Sequence, residues 1–116
     1  TTVDVQAEID AGSEVNASTE YGATPLHFAA LAHTPVSVQV LLDAGARINS
    51  RTEGGYTPLH SAAMLGTPAG IQVLLDAGAD AKAKGKEGKT PWIFAQENGQ
   101  LKGTNAYWAL NDAQYE

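Results

Sequence analysis

Cysteine is absent from the 116 residues, which excludes a disulfide framework, cysteine-ligated zinc and a thiol nucleophile. Long apolar runs are missing too. None approaches the roughly 20 residues that span a bilayer, and the start Thr1-Thr2-Val3-Asp4 lacks the basic residues of a signal peptide. A soluble, cytoplasmic domain is the expectation from these absences. Basic residues are scarce, seven against thirteen acids for a net charge of −6, and this disfavours a general nucleic-acid binder, whose phosphate affinity rests on Lys and Arg. Aromatics are few as well: eight, beside 20 Ala and 12 Gly. Such small residues fill little volume per position and would supply a conventional core poorly. The length bounds the chain at one domain.

Periodicity accounts for the small residues. Each of the five prolines follows a threonine, at Thr24, Thr34, Thr57, Thr67 and Thr90. Pro25, Pro58 and Pro91 are spaced by 33 residues, as are Pro35 and Pro68, Gly12, Gly45 and Gly78, and Gly22, Gly55 and Gly88. Residues 24–56 laid on 57–89 without a gap share 17 identities in 33 positions.

Each Thr-Pro reads as a helix start, because the Thr hydroxyl accepts from an orphan backbone donor and Pro at the first helical position loses no needed N–H. Every unit therefore begins two helices. The first runs from Pro25 to about Ala32, ended by His33, and in the next unit from Pro58 to Leu65, ended by Gly66. The second runs from Pro35 to Ala44, with Val36, Val40 and Leu41 as its apolar face and Gly45 as a left-handed C-cap; Pro68 to Ala77 with Gly78 repeats it. Arg47 to Tyr56 and Asp80 to Lys89 then read as extended loops or hairpins. Helices this short do not stand alone in water, so the units must lean on one another, and Ala29-Ala30 and Ala62-Ala63 let backbones approach.

Thr24-Pro25-Leu26-His27-Phe28-Ala29-Ala30 and Thr57-Pro58-Leu59-His60-Ser61-Ala62-Ala63, followed by Leu41-Leu42-Asp43-Ala44-Gly45-Ala46 and Leu74-Leu75-Asp76-Ala77-Gly78-Ala79, closely resemble ankyrin repeats. The resemblance implies an all-α fold: an ankyrin-repeat solenoid of stacked helix-turn-helix units joined by β-hairpin-like loops. It divides the chain into a partial repeat at 1–22, repeats at 23–55 and 56–88, and a C-terminal capping repeat at 89–116. Residues 1–22 fit only a second helix and hairpin, with Val3, Val5, Ile9, Ala11-Gly12, Val15 and Asn16 in register. An exposed N-terminal end is expected there, with weak homo-oligomerisation as its consequence. In the last unit Leu becomes Trp92, His becomes Ile93, Leu-Leu becomes Tyr107-Trp108 and the C-cap Gly becomes Asn111. Trp92, Phe94, Tyr107, Trp108 and Tyr115 read as a hydrophobic cap, with an aromatic binding surface as the alternative.

Candidate chemistry is sparse. His27 and His60 share one slot, for which the resemblance implies a structural hydrogen bond between neighbouring units. No metal-binding His pair, nucleophile elbow or phosphate loop is present. Asp76, Gly78, Asp80 and Glu87 sit at offsets faintly like a calcium loop, but Ala81 stands where the turn needs Gly and Lys82 and Lys84 where ligands belong. Asn16-Ala17-Ser18 fits a glycosylation acceptor but falls on a hairpin position. No catalytic residue, metal or cofactor is expected.

The resemblance instead implies a non-enzymatic protein-protein interaction module, binding a protein partner on a concave face of hairpin tips and first helices, with no role for nucleic acid or membrane. Carried onto this chain, the specificity slots give Tyr21, Leu31, Arg51, Glu53 and Tyr56, then Met64, Leu65, Lys86 and Lys89. An apolar, aromatic groove bordered by a basic corner is expected, receiving a segment with an acidic end. Two alternatives stand beside it: Leu31, Met64 and Leu65 pack between units, or the chain serves a structural or assembly role through its N-terminal half-repeat.

Overall fold

A computed structural model describes residues 15–31 and 36–115. Among them are six helices, α1 (Pro25–Ala29), α2 (Val36–Asp43), α3 (Pro58–Leu65), α4 (Pro68–Asp76), α5 (Pro91–Ala95) and α6 (Asn105–Ala113). The expected N-terminal apolar residues Val3, Val5 and Ile9, and His33, lie outside the described residues.

The Thr-Pro reading holds for where four helices start, with Thr34-Pro35 outside the described residues, and the expected cap hydrogen bond forms at Thr57. Thr24, Thr57, Thr67 and Thr90 are extended at the N-cap with Pro as the next residue. Extended backbone at the cap lets the hydroxyl face the first turn; Thr57 Oγ1 accepts from the His60 N–H at 3.3 Å and Thr104 Oγ1 from the Tyr107 N–H at 3.1 Å.

The helices α2 and α4 close on glycine as expected, each one residue earlier than expected. The Gly45 N–H donates to the Leu42 carbonyl at 3.1 Å and the Ala46 N–H to Leu41 at 2.9 Å, with Gly45 at φ +100°. This pair of bonds is a Schellman closure. Gly78 and Ala79 repeat it on Leu75 and Leu74. The helices stop at Ala29, Asp43 and Asp76, short of Ala32, Ala44 and Ala77, because the closing residues turn rather than continue. Asn111 is no C-cap. It lies inside α6, which continues to Ala113, and no described residue other than glycine has a positive φ. Val36 also departs from expectation. It is exposed, and Val38 and Leu41 are the buried residues of α2.

The helices form two rows, α1, α3 and α5 against one another and α2, α4 and α6 behind them. Leu26, Leu59, Ile71, Leu74, Leu101 and Leu110 are fully buried between the layers. Small residues set the spacing. A Cβ on Gly66 would meet the Ala30 carbonyl oxygen at 2.8 Å and one on Gly70 at 2.9 Å, so neighbouring units approach backbone to backbone. Volume is thus supplied by a few leucines per layer, and alanine and glycine allow the layers to close on them.

The connecting loops are tight turns without a strand ladder among the described residues. In each, two backbone bonds close the tip: Thr19 N–H to Ala23 O and Gly22 N–H to Thr19 O, Thr52 to Tyr56 and Gly55 to Thr52, Gly85 to Lys89 and Gly88 to Gly85. One bond then links each tip to the next, Glu53 N–H to Tyr21 O at 2.9 Å and Lys86 N–H to Gly54 O at 2.8 Å. At the C-terminal end Trp92 lies on Tyr107 and Trp108, with ring centroids 4.5 and 6.2 Å apart. Phe94 does not join this cap, and Tyr115 is exposed.

Candidate functional site

The first-row helices and the turn tips form one face, and the histidines hold its two parts together. Thr24 and Thr57 donate their backbone N–H to Nδ1 of His27 and His60, both at 3.1 Å. The opposite nitrogens meet carbonyls of the following unit: His27 Nε2 to Tyr56 O at 2.8 Å and His60 Nε2 to Lys89 O at 2.9 Å. A carbonyl can only accept, so Nε2 carries the proton and Nδ1 accepts: both rings are neutral and fully bonded. Burial lowers both histidine pKa values, opposed by those carbonyl bonds. Neither ring is free to act as a base.

Tyr56 occupies the centre of the face. Its ring lies against the backbone of two tips: a Cβ on Gly54 would come within 2.7 Å of it, and one on Gly85 within 3.0 Å. It meets His60 and Phe94 edge-on at centroid distances of 5.5 and 5.8 Å. The hydroxyl donates to the Glu87 carboxylate at 2.9 Å, and that acceptor raises the tyrosine pKa, since a phenolate would face a carboxylate. Lys89 Nζ stands 5.6 Å from the centre of the Phe94 ring.

Several expected residues gather around this centre in different ways. The Arg51 guanidinium donates from Nη1 to the carbonyls of Gly55 and Lys84, at 2.9 and 2.8 Å, and bridges the second and third tips. Tyr21, Glu53 and Lys86 are exposed, with their backbones in the tip-to-tip bonds. Leu31, Met64 and Lys89 are half-buried, whereas Leu65 is 71% exposed. Packing between units therefore accounts for part of Leu31 and Met64 but not for Leu65. Asn98 ties helix ends together: its Nδ2 donates to Ala63 O at 3.2 Å and to Gly66 O at 3.1 Å.

Sequence reasoning missed Phe28. It is 59% exposed on α1 and shares one repeat slot with Ser61 and Phe94. The available signal was that large, small and large residues alternate in that slot.

The calcium-like offsets bring no ligand set together. Asp76 accepts from Gln72, Asp80 from the Lys82 backbone and Glu87 from Tyr56, and the described residues hold no group of three or more His, Cys, Asp or Glu placed for a metal. The Asn16 amide is engaged on both atoms, Nδ2 to Gly45 O and Oδ1 from Arg47 N–H. No described helix is long and apolar enough to cross a membrane.

The family model for ankyrin repeats in three copies matches residues 3–85. The chain belongs to the ankyrin-repeat family. A search of curated proteins found no match. Ankyrin repeats are generally protein-protein interaction modules and generally lack enzymatic activity, in keeping with a face of bonded histidines, exposed rings and exposed charges. In this ankyrin stack the turn tips and first helices are held in register by the His bonds, so side chains of successive units recur at fixed places along one surface.

Proposed function

We propose that this ankyrin stack binds a protein partner on the concave face made by its turn tips and the helices α1, α3 and α5, and that it performs no catalysis. Tyr21, Leu31, Arg51, Glu53, Tyr56, Met64, Leu65, Lys86 and Lys89 form the contact set, to which Phe28 is added. The observation that carries the reading is exposure on a turn tip and on first-row helices: Tyr21 is 67%, Phe28 59% and Leu65 71% exposed. Solvating large apolar groups is unfavourable, and aromatic side chains grouped on a rigid surface are characteristic of interface centres. Arg51 and Asn98 serve this face indirectly by fixing tips and helix ends.

The test uses the exposed residues, because Tyr56 also holds two tips together. Tyr21→Ala, Phe28→Ala and Leu65→Ala combined should remove the partner recovered by affinity capture with the wild-type chain, while the thermal melt stays in place. Equal recovery by the triple variant would remove the concave face from consideration.

A further inference from the structure

The concave face is not uniform in charge, and its charges change sign along the stack. Glu20, Glu53 and Lys86 occupy one slot of three successive tips, 33 residues apart and exposed. The bonds from Glu53 N–H to Tyr21 O and from Lys86 N–H to Gly54 O set these tips side by side. A second slot runs Ser18, Arg51, Lys84 and a third Ala23, Tyr56, Lys89. Acid is thus presented at the first two tips and base at the third. Glu87, the acid among these lysines, is held by the Tyr56 hydroxyl, and the Arg51 guanidinium lies against the Lys84 carbonyl, on the basic side.

Alongside the tips the helix row presents Phe28, Ser61 and Phe94 in one slot, one in each unit. Phe94 is accompanied by Tyr56, His60 and Lys89. Phe28 has no ring contact among the described residues. Ser61, small and half-buried, stands between the two phenylalanines in that slot, and Phe28 is left 59% exposed.

We infer that the partner presents an extended segment of opposite polarity: a basic residue over the first two tips, an apolar anchor beside Phe28, and acidic residues over the third tip. This rests on the concave-face reading and adds charge order to it. Layers of packed helices stand about 8–10 Å apart, so first and third tips are roughly 20 Å apart, and an extended chain covers that in about six residues. A uniformly acidic segment would meet Glu20 and Glu53, and nucleic acid would meet the same two carboxylates with its phosphates. Opposed charges fix which way round a segment lies, because the reversed orientation sets like against like.

The experiment is selection of a random twelve-residue peptide library displayed on phage against the full chain, beside the charge-swapped variant E20K/E53K/K84E/K86E. All four sites are exposed, so the fold is retained in the swap, as a thermal melt checks. Peptides enriched on the wild type should carry a base, an apolar residue and acids in one order along about six residues. The swapped chain should enrich the same pattern in reverse order. The best wild-type peptide, synthesised with a fluorophore, should bind Lys86→Glu about tenfold more weakly and lose affinity with added salt. Peptides without charge order that still depend on Phe28 and Leu65 overturn the inference and leave the concave-face reading intact. Peptides whose capture survives Phe28→Ala and Leu65→Ala overturn that reading as well. Failure to enrich any peptide overturns the inference.

Discussion

His60 donates from Nε2 to the Lys89 carbonyl at 2.9 Å while its Nδ1 accepts from the Thr57 N–H at 3.1 Å. One neutral ring therefore joins a helix start to the next unit's turn, and His27 does the same one unit earlier. Protonating Nδ1 would set an N–H against an N–H. Burial lowers both pKa values below the ordinary 6.5. Above that pH folded and unfolded chains both hold neutral histidines and the stack has its full stability. As the pH falls below 6.5 the unfolded chain takes up protons first, and stability declines toward the folded pKa. Urea midpoints between pH 7.5 and 5.5 should fall, and the double variant H27Q/H60Q, less stable at pH 7.5, should have a flatter profile over that window.

Glycines at the tips and at the helix ends should differ in their tolerance of a methyl group. Gly55 has φ +82°, and a Cβ there would lie 3.0 Å from the Gly85 Cα; Gly78 has φ +95° with open space around it. Gly78→Ala carries the left-handed cost alone, about 1–2 kcal/mol. Gly55→Ala adds a backbone clash between tips and should cost clearly more in the same urea titration.

The Tyr56 hydroxyl and Glu87 should be separable from the fold. Glu87→Gln removes the carboxylate that raises the phenol's pKa, so the late-titrating tyrosine in an ultraviolet pH titration should move down toward 10.0. Tyr56→Phe should remove that late signal altogether. The melt should change little in either variant, since the ring keeps its place against Gly54, Gly85 and Phe94.

Asn98→Ala should be more damaging than its surface slot suggests. It removes the amide donor to the Ala63 and Gly66 carbonyls at the end of α3. Loss of such bonds from partly buried acceptors costs about 1–3 kcal/mol, readable as a lower urea midpoint with an unchanged slope.

Helix starts, glycine closures and the 33-residue stacking were legible in the sequence because each rests on residues adjacent in the chain or repeated at one interval. Thr57-Pro58 and Leu42 to Ala46 contain their own geometry. What depends on contacts between units was not. Val38 rather than Val36 is buried because the layers beside α2 decide which side is covered. Asn111 fits a left-handed cap chemically, yet α6 runs on past it. Arg51 read as a contact residue, and its bonds to carbonyls 4 and 33 residues away leave no trace in local spacing. Phe28 and Phe94 share a slot, but the first is solvated and the second lies against Tyr56. On the proposed face, the repeat slots follow from the sequence, whereas the division between struts and free side chains rests on contacts between units.

The most direct test of the concave-face account is amide chemical-shift mapping of the isotope-labelled chain during titration with a partner recovered by affinity capture. The account predicts shifts concentrated at the tips around Glu53, Gly54 and Lys86 and on α1 and α3 near Phe28 and Leu65, with the outer helices α4 and α6 unmoved. Shifts confined to α4, α6 or the Trp92–Trp108 cap, with the tips unmoved, would contradict it.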